Sequence, residues 1–199
     1  MNTDLLAVLK SHLGRPLSPE ICADIMVAAD QIPTLVPFDV IDRIQPAVCG
    51  EFTFAVECIE DIEDEIKPLH RAHWDETEGH RHGLPFNPDY QTFIRYERAG
   101  RYVLFVLRKD GRLLGNCAMY LDRSAHTQTL IATEDTLYLL PKARKGRTAM
   151  RFVGYVEESL HQLGVREIEI SVKVVNKAGK FFEYLGYKQR EVGLTKVLE

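Results

Sequence analysis

The sequence lacks several features, and each absence excludes a class of protein. No stretch of its 199 residues approaches the roughly 18–20 uncharged apolar positions that a membrane-spanning helix requires. Met1-Asn2-Thr3-Asp4 shows no basic segment leading into an apolar one, so no secretory leader is expected. The expectation is a cytoplasmic protein without a membrane partner. Cysteine is sparse: Cys22, Cys49, Cys58 and Cys117 lie far apart, and no pair has C-x-x-C spacing. That argues against a zinc ribbon or a dithiol redox motif and makes buried free thiols the expectation. Positive charge is not in excess either. With a formal net charge of −4 the chain lacks the basic field of a general nucleic-acid binder, so no nucleic-acid partner is expected. Internal repeats and low-complexity tracts are absent.

What is present is an ordinary globular composition, 45% hydrophobic and 27% charged, at a length that suits one domain with a short appendage. Charge is spread unevenly along it. Glu57 to Glu65 holds six acids in nine residues, and Lys142 to Arg151 holds five basic residues in ten with no acid.

Residues 1–50 read as a helical extension, separated from 51–199 by a boundary near Cys49-Gly50. Leu5, Leu6, Val8 and Leu9 run to a stop at Leu13-Gly14. Ser18-Pro19-Glu20 opens a second helix, with Ser18 as cap and Pro19 at the first helical position. Pro33, Pro37 and Pro46 break the next stretch into loop. Phe52-Thr53-Phe54-Ala55-Val56 is a first strand, and Ile59, Ile62, Ile66 and Leu69 mark one face of a helix whose early acids suit its dipole. Residues 75–88 read as loop, and Asn87-Pro88-Asp89 starts a helix ending at Ala99-Gly100. Tyr102 to Leu107, a hairpin signal at Lys109-Asp110-Gly111, Arg112 to Leu121, and Thr127 to Leu140 make a three-strand meander. Ala149, Phe152, Val153, Val156, Leu160 and Leu163 form an amphipathic helix that Gly164 ends. A strand at Glu167 to Val172, a helix at Asn176 to Leu185 and a last strand at Tyr187 to Leu198 complete the order. The fold class is α/β (α+β): a mixed sheet flanked by helices.

The junction from Leu137 to Ala149 concentrates the chemistry. An apolar strand runs into a tight basic turn, Pro141-Lys142-Ala143-Arg144-Lys145-Gly146-Arg147, and then into a helix N-terminus. Unpaired N–H groups and the helix dipole there make an anion site. Gly146 and Ala149 let a ligand approach the backbone, and Arg144, Lys145 and Arg147 add charge suited to a pyrophosphate. A solvated basic loop is the competing reading from the turn alone.

The stretch from Phe52 to Leu198 resembles the GNAT family of acetyl-CoA-dependent N-acyltransferases. That family carries a strand ending Leu-Tyr-Val-x-Pro and then Arg-x-x-Gly-x-Gly/Ala opening a helix. Leu137-Tyr138-Leu139-Leu140-Pro141 and Arg144-x-x-Arg147-x-Ala149 fall in those places, and Asn176 to Leu185-Gly186-Tyr187 resembles the family's later Asn…Leu-Gly-Phe element. A narrower resemblance, to acetyltransferases encoded in bacteriophages and prophages, rests on His73-Trp74-Asp75-Glu76, Pro88-Asp89-Tyr90, Ala99-Gly100-Arg101 and Asp135-Thr136-Leu137-Tyr138-Leu139.

The resemblance implies a twisted, mostly antiparallel sheet of about six to seven strands. It also implies acetyl-CoA as co-substrate, held by Leu139, Leu140, Arg144, Lys145, Gly146, Arg147, Thr148, Ala149 and Asn176. An acetyl group would pass to a primary amine of a small molecule or peptide by direct attack, with a backbone N–H near Leu139 on the oxyanion. Strands splaying after Leu139 would admit the pantetheine arm. Glu134 or Asp135, just ahead of this strand end, would serve as base. Strand alternation lets only one of them point into the cleft. His126 is a second candidate base.

Two departures keep an alternative open. Arg147 stands where the family has its central glycine, and Phe182 stands at the place of the usual general-acid tyrosine; Tyr184 lies about 200° around the helix from it. The alternative is a catalytically reduced acyl-CoA-binding or interaction module, with residues 1–50 contacting a partner. His70, His73, His80 and His82 could gather round a metal, but no fixed third partner has a recognised spacing, so no metal is expected and the histidines line the acceptor side instead. An apolar strand edge or the N-terminal helices offer a route to a homodimer.

Overall fold

The computed structural model describes residues 3–29, 32–77, 85–173 and 178–196. Helices α1 (Thr3–Ser11), α2 (Pro19–Ala29) and α3 (Phe38–Ile41) precede strands β1 (Ala47–Cys49) and β2 (Phe52–Val56). Helices α4 (Ile59–Thr77) and α5 (Tyr90–Arg98) follow, then β3 (Tyr102–Lys109), β4 (Arg112–Arg123) and β5 (Leu130–Leu139). A 3-10 turn (Pro141–Ala143) leads to α6 (Thr148–Gln162), β6 (Glu167–Glu169) and α7 (Ala178–Tyr184). The strands form one curled six-stranded sheet in the order β1-β2-β3-β4-β5-β6, antiparallel throughout except for the parallel pair β5–β6.

The sheet has a helical layer on each face because its central strands are apolar on both. β3 is buried from Tyr102 to Leu107, as a strand covered on both sides must be. On one face Tyr102, Leu104, Val106 and Tyr138 pack against Ile59, Ile62, Ile66 and Leu69 of α4 and Ile94 of α5. On the other, Val103, Phe105, Leu107, Met119 and Leu139 pack against Phe152, Val156 and Leu160 of α6. Each of these α6 side chains is 0–4% exposed and contributes roughly 1.5–3 kcal/mol through burial. Val36, Ile41 and Ile44, from the segment before β1, join the same core. No described helix is long and apolar enough to cross a membrane.

The local signals explain most of these elements. Ser18 Oγ accepts from Ile21 N–H at 3.3 Å as an N-cap, and Asp89 accepts from Thr92 N–H at 3.0 Å at the start of α5. Helix α4 is broken after its first turn, where Ile62 has φ −123° and ψ 20°. It then runs past residue 75 to Thr77, into the stretch expected as loop.

Other expectations are corrected. No strand follows α7 among the described residues up to 196. Lys188, Gln189, Arg190 and Glu191 are four polar residues in a row, and Val192 and Leu194 are 71% and 95% exposed, so no alternating face is there to bury. Strand β6 ends at Glu169 rather than at Val172. Of the four cysteines only Cys117 is buried, and Cys22 is exposed. Helix α3 and strand β1 lie where only broken loop was expected.

Candidate active site

The basic turn is built from the end of β5. Leu140 N–H donates to Leu114 O at 2.8 Å, which keeps the chain in the sheet up to Pro141. Ala143, fully buried, then pins the 3-10 turn to the core. Gly146 has φ +63°, a left-handed conformation that favours glycine, and a side chain built on it would meet nothing within 4 Å. The turn therefore stands clear of the core with Lys145 and Arg147 exposed on it. Helix α6 begins at Thr148, whose N–H donates to Lys145 O at 3.4 Å, and the Arg147 side chain makes no cap, so the next N–H groups of the first turn are left to an anion.

Strands β5 and β6 separate after Thr133, well before the turn and not after Leu139 as expected. Their pairing covers only Ile131–Glu167, Ala132–Ile168 and Thr133–Glu169, while β5 continues to Leu139. Leu139 lies opposite Gly115 on β4, and the adjoining Leu140-to-Leu114 bond makes this a non-hydrogen-bonded pair. The N–H and C=O of Leu139 therefore face away from β4, toward the side that β6 has left. Leu137 has the same phase. Gly115 itself makes room here, since a side chain on it would overlap that of Leu139.

Arg144 does not join Lys145 and Arg147 on the outside of the turn. Its Nε donates to Leu139 O at 2.6 Å, and its two terminal nitrogens donate to the two carboxylate oxygens of Glu76 at 2.6 and 2.7 Å. The guanidinium lies over the Tyr138 ring, 5.1 Å from its centroid, and Tyr138 Oη donates to Glu76 at 2.9 Å. Arg144 holds the Glu76 carboxyl below the ordinary carboxylate range, and Glu76 in turn raises Arg144. Glu76, at the end of α4, had no signal in the sequence beyond its place in the His73-Trp74-Asp75-Glu76 run.

A β-bulge separates Glu134 from Asp135. Ala118 pairs with Thr136 and Met119 with Glu134, leaving Asp135 as the extra residue. Glu134 accepts from Ser171 N–H at 3.3 Å, beside the chain leaving β6. Asp135 instead accepts from Tyr102 Oη at 2.8 Å, and Tyr102 packs on the α4–α5 face. Burial pushes the Asp135 carboxyl up, while the Tyr102 hydrogen bond pulls it back toward the ionised form. Tyr120 stands edge-on to Tyr102 at 4.9 Å, its own hydroxyl pushed up to about 12, by burial first and then by Asp135. His126 is not brought to this place: it lies exposed in the turn before β5, the length of that strand (~30 Å) from Leu139. Asn176 lies outside the described residues, as do His80 and His82.

The remaining candidates are accounted for by packing. Phe182 is buried, with its ring 5.2 Å from that of Tyr187, and Tyr184 is 79% exposed. His70 is buried with Nδ1 3.3 Å from Tyr90 Oη, and burial lowers it to about 4, so it stays neutral. The His73 ring stacks on Tyr138 at 5.2 Å. Among the described residues no group of three or more His, Cys, Asp or Glu is placed to hold a metal ion.

A separate cavity of about 350 Å³ lies between α3 and the start of α4, lined in part by Phe38, Asp42, Cys58, Asp61 and Glu97, with nothing from β5 or the basic turn. There burial raises Glu97 to about 7, although both its oxygens take the Ile59 N–H, at 3.2 and 3.0 Å. Burial likewise raises the Cys58 thiol to about 11.

No family model matches this sequence, and no curated protein sequence matches it. Solved structures do. One is an aminoglycoside acetyltransferase from an uncultured soil metagenomic sample, in complex with trehalose. It is 11% identical with a TM-score of 0.62, over 77% of this chain and 100% of that one. Glucosamine-6-phosphate N-acetyltransferase from Arabidopsis thaliana is 13% identical with a TM-score of 0.56, over 74% and 99%. AAC(6')-Iy, in complex with a CoA-S-monomethyl-acetylneamine bisubstrate analog, is 14% identical with a TM-score of 0.58, over 75% and 99%. At these identities the likeness is one of fold: the curled six-stranded sheet with its flanking helices is the GNAT-like fold of these acetyltransferases.

Proposed function

We propose that the chain is an acetyl-CoA-dependent N-acetyltransferase acting on a primary amine of a small molecule or peptide. One observation carries the reading. Strand β5 parts from β6 after Thr133, and its free end runs directly into an exposed cationic turn at an uncapped helix N-terminus. An extended, anionic, amide-containing cofactor asks for both features in that order. The narrower likeness to phage- and prophage-encoded enzymes belongs to the same reading, as does the division into an extension (1–50) and an acyltransferase unit (51–199), with Val36, Ile41, Ile44 and strand β1 of the first segment packed into the second.

The roles follow from placement. Lys145, Arg147 and the N–H groups of Gly146, Arg147 and Ala149 would hold the pyrophosphate, with the Thr148 hydroxyl beside them. Asn176 joins the cofactor set through the family resemblance. The outward C=O of Leu139 and the outward N–H and C=O of Leu137 suit the amides of an extended pantetheine arm, with Leu140 packing beside it. The cofactor supplies an activated thioester carbonyl. Leu139 N–H, on the open side of β5, donates to the oxygen that gains charge as the amine nitrogen attacks. Asp135, raised by burial and oriented by Tyr102, would take a proton from the acceptor ammonium and so free the lone pair with which the amine nitrogen attacks. The new C–N bond would replace C–S, and the second proton lost by the nitrogen would pass, directly or through solvent, to the departing thiolate.

The second reading, an acyl-CoA-binding module without transfer, draws on one observation. Phe182 is packed into the core and Tyr184 points to solvent, so α7 offers no tyrosine as general acid. Release of CoA thiol from acetyl-CoA, measured across a broad primary-amine library, decides between the two. The enzyme reading predicts amine-stimulated release well above slow hydrolysis. CoA binding with no amine-dependent release would establish the module.

A further inference from the structure

Arg144 sits on the wrong face of β5 to serve the helix terminus. Its guanidinium lies against Tyr138, which packs with α4, whereas α6 and its N-terminus cover the opposite face with Leu139, Ala143 and Phe152. It is held there by three hydrogen bonds, two to Glu76 and one to Leu139 O. A carboxylate and a phosphate engage the same forked donors of an arginine, so one occupant displaces the other. The Leu139 C=O that Arg144 covers is also one of the groups β5 turns toward the open side.

We infer that Glu76 is a positioning residue that competes with the cofactor pyrophosphate for Arg144, so that cofactor binding transfers Arg144 from the end of α4 to the phosphate turn and uncovers Leu139 O. This inference rests on the acetyl-CoA reading and deepens it. Exposure permits the exchange: the side chains of Arg144 and Glu76 are 39% and 42% exposed, so neither is locked in the core. Tyr138 supports both states. Its ring can hold the guanidinium plane while the cation swings, and its hydroxyl keeps a bond to Glu76 after Arg144 leaves. The exchange ties the end of α4, the helix whose His70 and His73 were expected on the acceptor side, to occupancy of the cofactor turn.

The test is CoA binding by calorimetry to the parent, Glu76→Gln, Arg144→Gln and the double variant. A part-exposed ion pair leads to a gain of about two- to fivefold in CoA affinity for Glu76→Gln, because the competitor anion is gone while the fold of the helix end persists. The gain should vanish when Arg144 is already glutamine. Unchanged or weakened affinity in Glu76→Gln overturns the inference, and so does an equal gain in the Arg144→Gln background, which would mean a general charge effect. If the parent itself binds no CoA, the acetyl-CoA reading fails and takes the inference with it. A second measurement needs no variant. Trp74, the single tryptophan, lies two residues before Glu76 on α4. Its fluorescence in the parent should change on adding CoA with the same midpoint as calorimetry. A flat signal through saturation would show that α4 does not feel the turn.

Discussion

Glu76 and Arg144, 68 positions apart in the chain, meet through two parallel hydrogen bonds of 2.6 and 2.7 Å at the mouth of the β5–β6 divide. The contact joins the end of the long helix α4 to the turn that follows β5. It leaves Lys145 and Arg147 as the exposed charges beside the uncapped start of α6.

Those two residues should therefore carry the resting charge of the cofactor turn. Replacing either with alanine is expected to weaken CoA binding by roughly three- to tenfold and to flatten its dependence on ionic strength. Arg147→Gly restores the glycine common at this place in GNAT sequences and should behave like the alanine variant. Tighter binding in Arg147→Gly would show that the side chain crowds the turn. Gly146→Val acts by another route, because φ of +63° strains a β-branched residue whatever the surrounding space. Salt-titrated calorimetry, with circular dichroism as the control for folding, separates the cases.

Asp135 and Tyr102 predict a pH signature. Asp135→Asn should lower turnover by about a hundredfold or more with CoA affinity intact. Tyr102→Phe removes a hydrogen bond that favours the ionised carboxylate, so the Asp135 pKa rises further and the acid limb of the rate profile moves to higher pH. Glu134→Gln serves as comparison, since that carboxylate faces Ser171 instead. An acid limb that moves in Glu134→Gln and stays in place in Tyr102→Phe would exchange their roles.

The chain's own pattern conveyed the helices better than the site. Ile59, Ile62, Ile66 and Leu69 follow helical spacing and all four are buried, as are Phe152, Val156 and Leu160 of α6. The stretch after Gly186 shows the limit of local propensity, because a strand needs a partner face and four successive polar residues supply none. Alternation alone puts Glu134 and Asp135 on opposite sides without saying which side is which. The bulge opposite Ala118 and Met119 settles it, and a bulge depends on the register with β4. The Glu76–Arg144 pair was equally hidden. A basic run reads as a solvated anion site until the fold brings an acid from another helix against one of its members.

Glu97 predicts an unusual stability profile. Burial raises its carboxyl to about 7 from an ordinary value of 4.5, so between those pH values the folded chain keeps a proton that the unfolded chain has lost. Its contribution to stability is thus complete below that window and falls as pH rises through it, by up to about 3 kcal/mol. Glu97→Gln retains an oxygen for the Ile59 N–H and has no proton to lose. Urea unfolding at the two ends of the window should show the variant gaining stability over the parent at the alkaline end. An equal difference at both ends would mean that Glu97 is ionised throughout.

The most direct test of the central claim is a crystal structure of the chain grown with acetyl-CoA. The pyrophosphate should lie within hydrogen-bond distance of Lys145, Arg147 and the first free N–H groups of α6, with the thioester oxygen at Leu139 N–H and the arm between β5 and the chain leaving β6. Acetyl-CoA seated elsewhere, with the basic turn and the end of β5 untouched by it, would contradict the account.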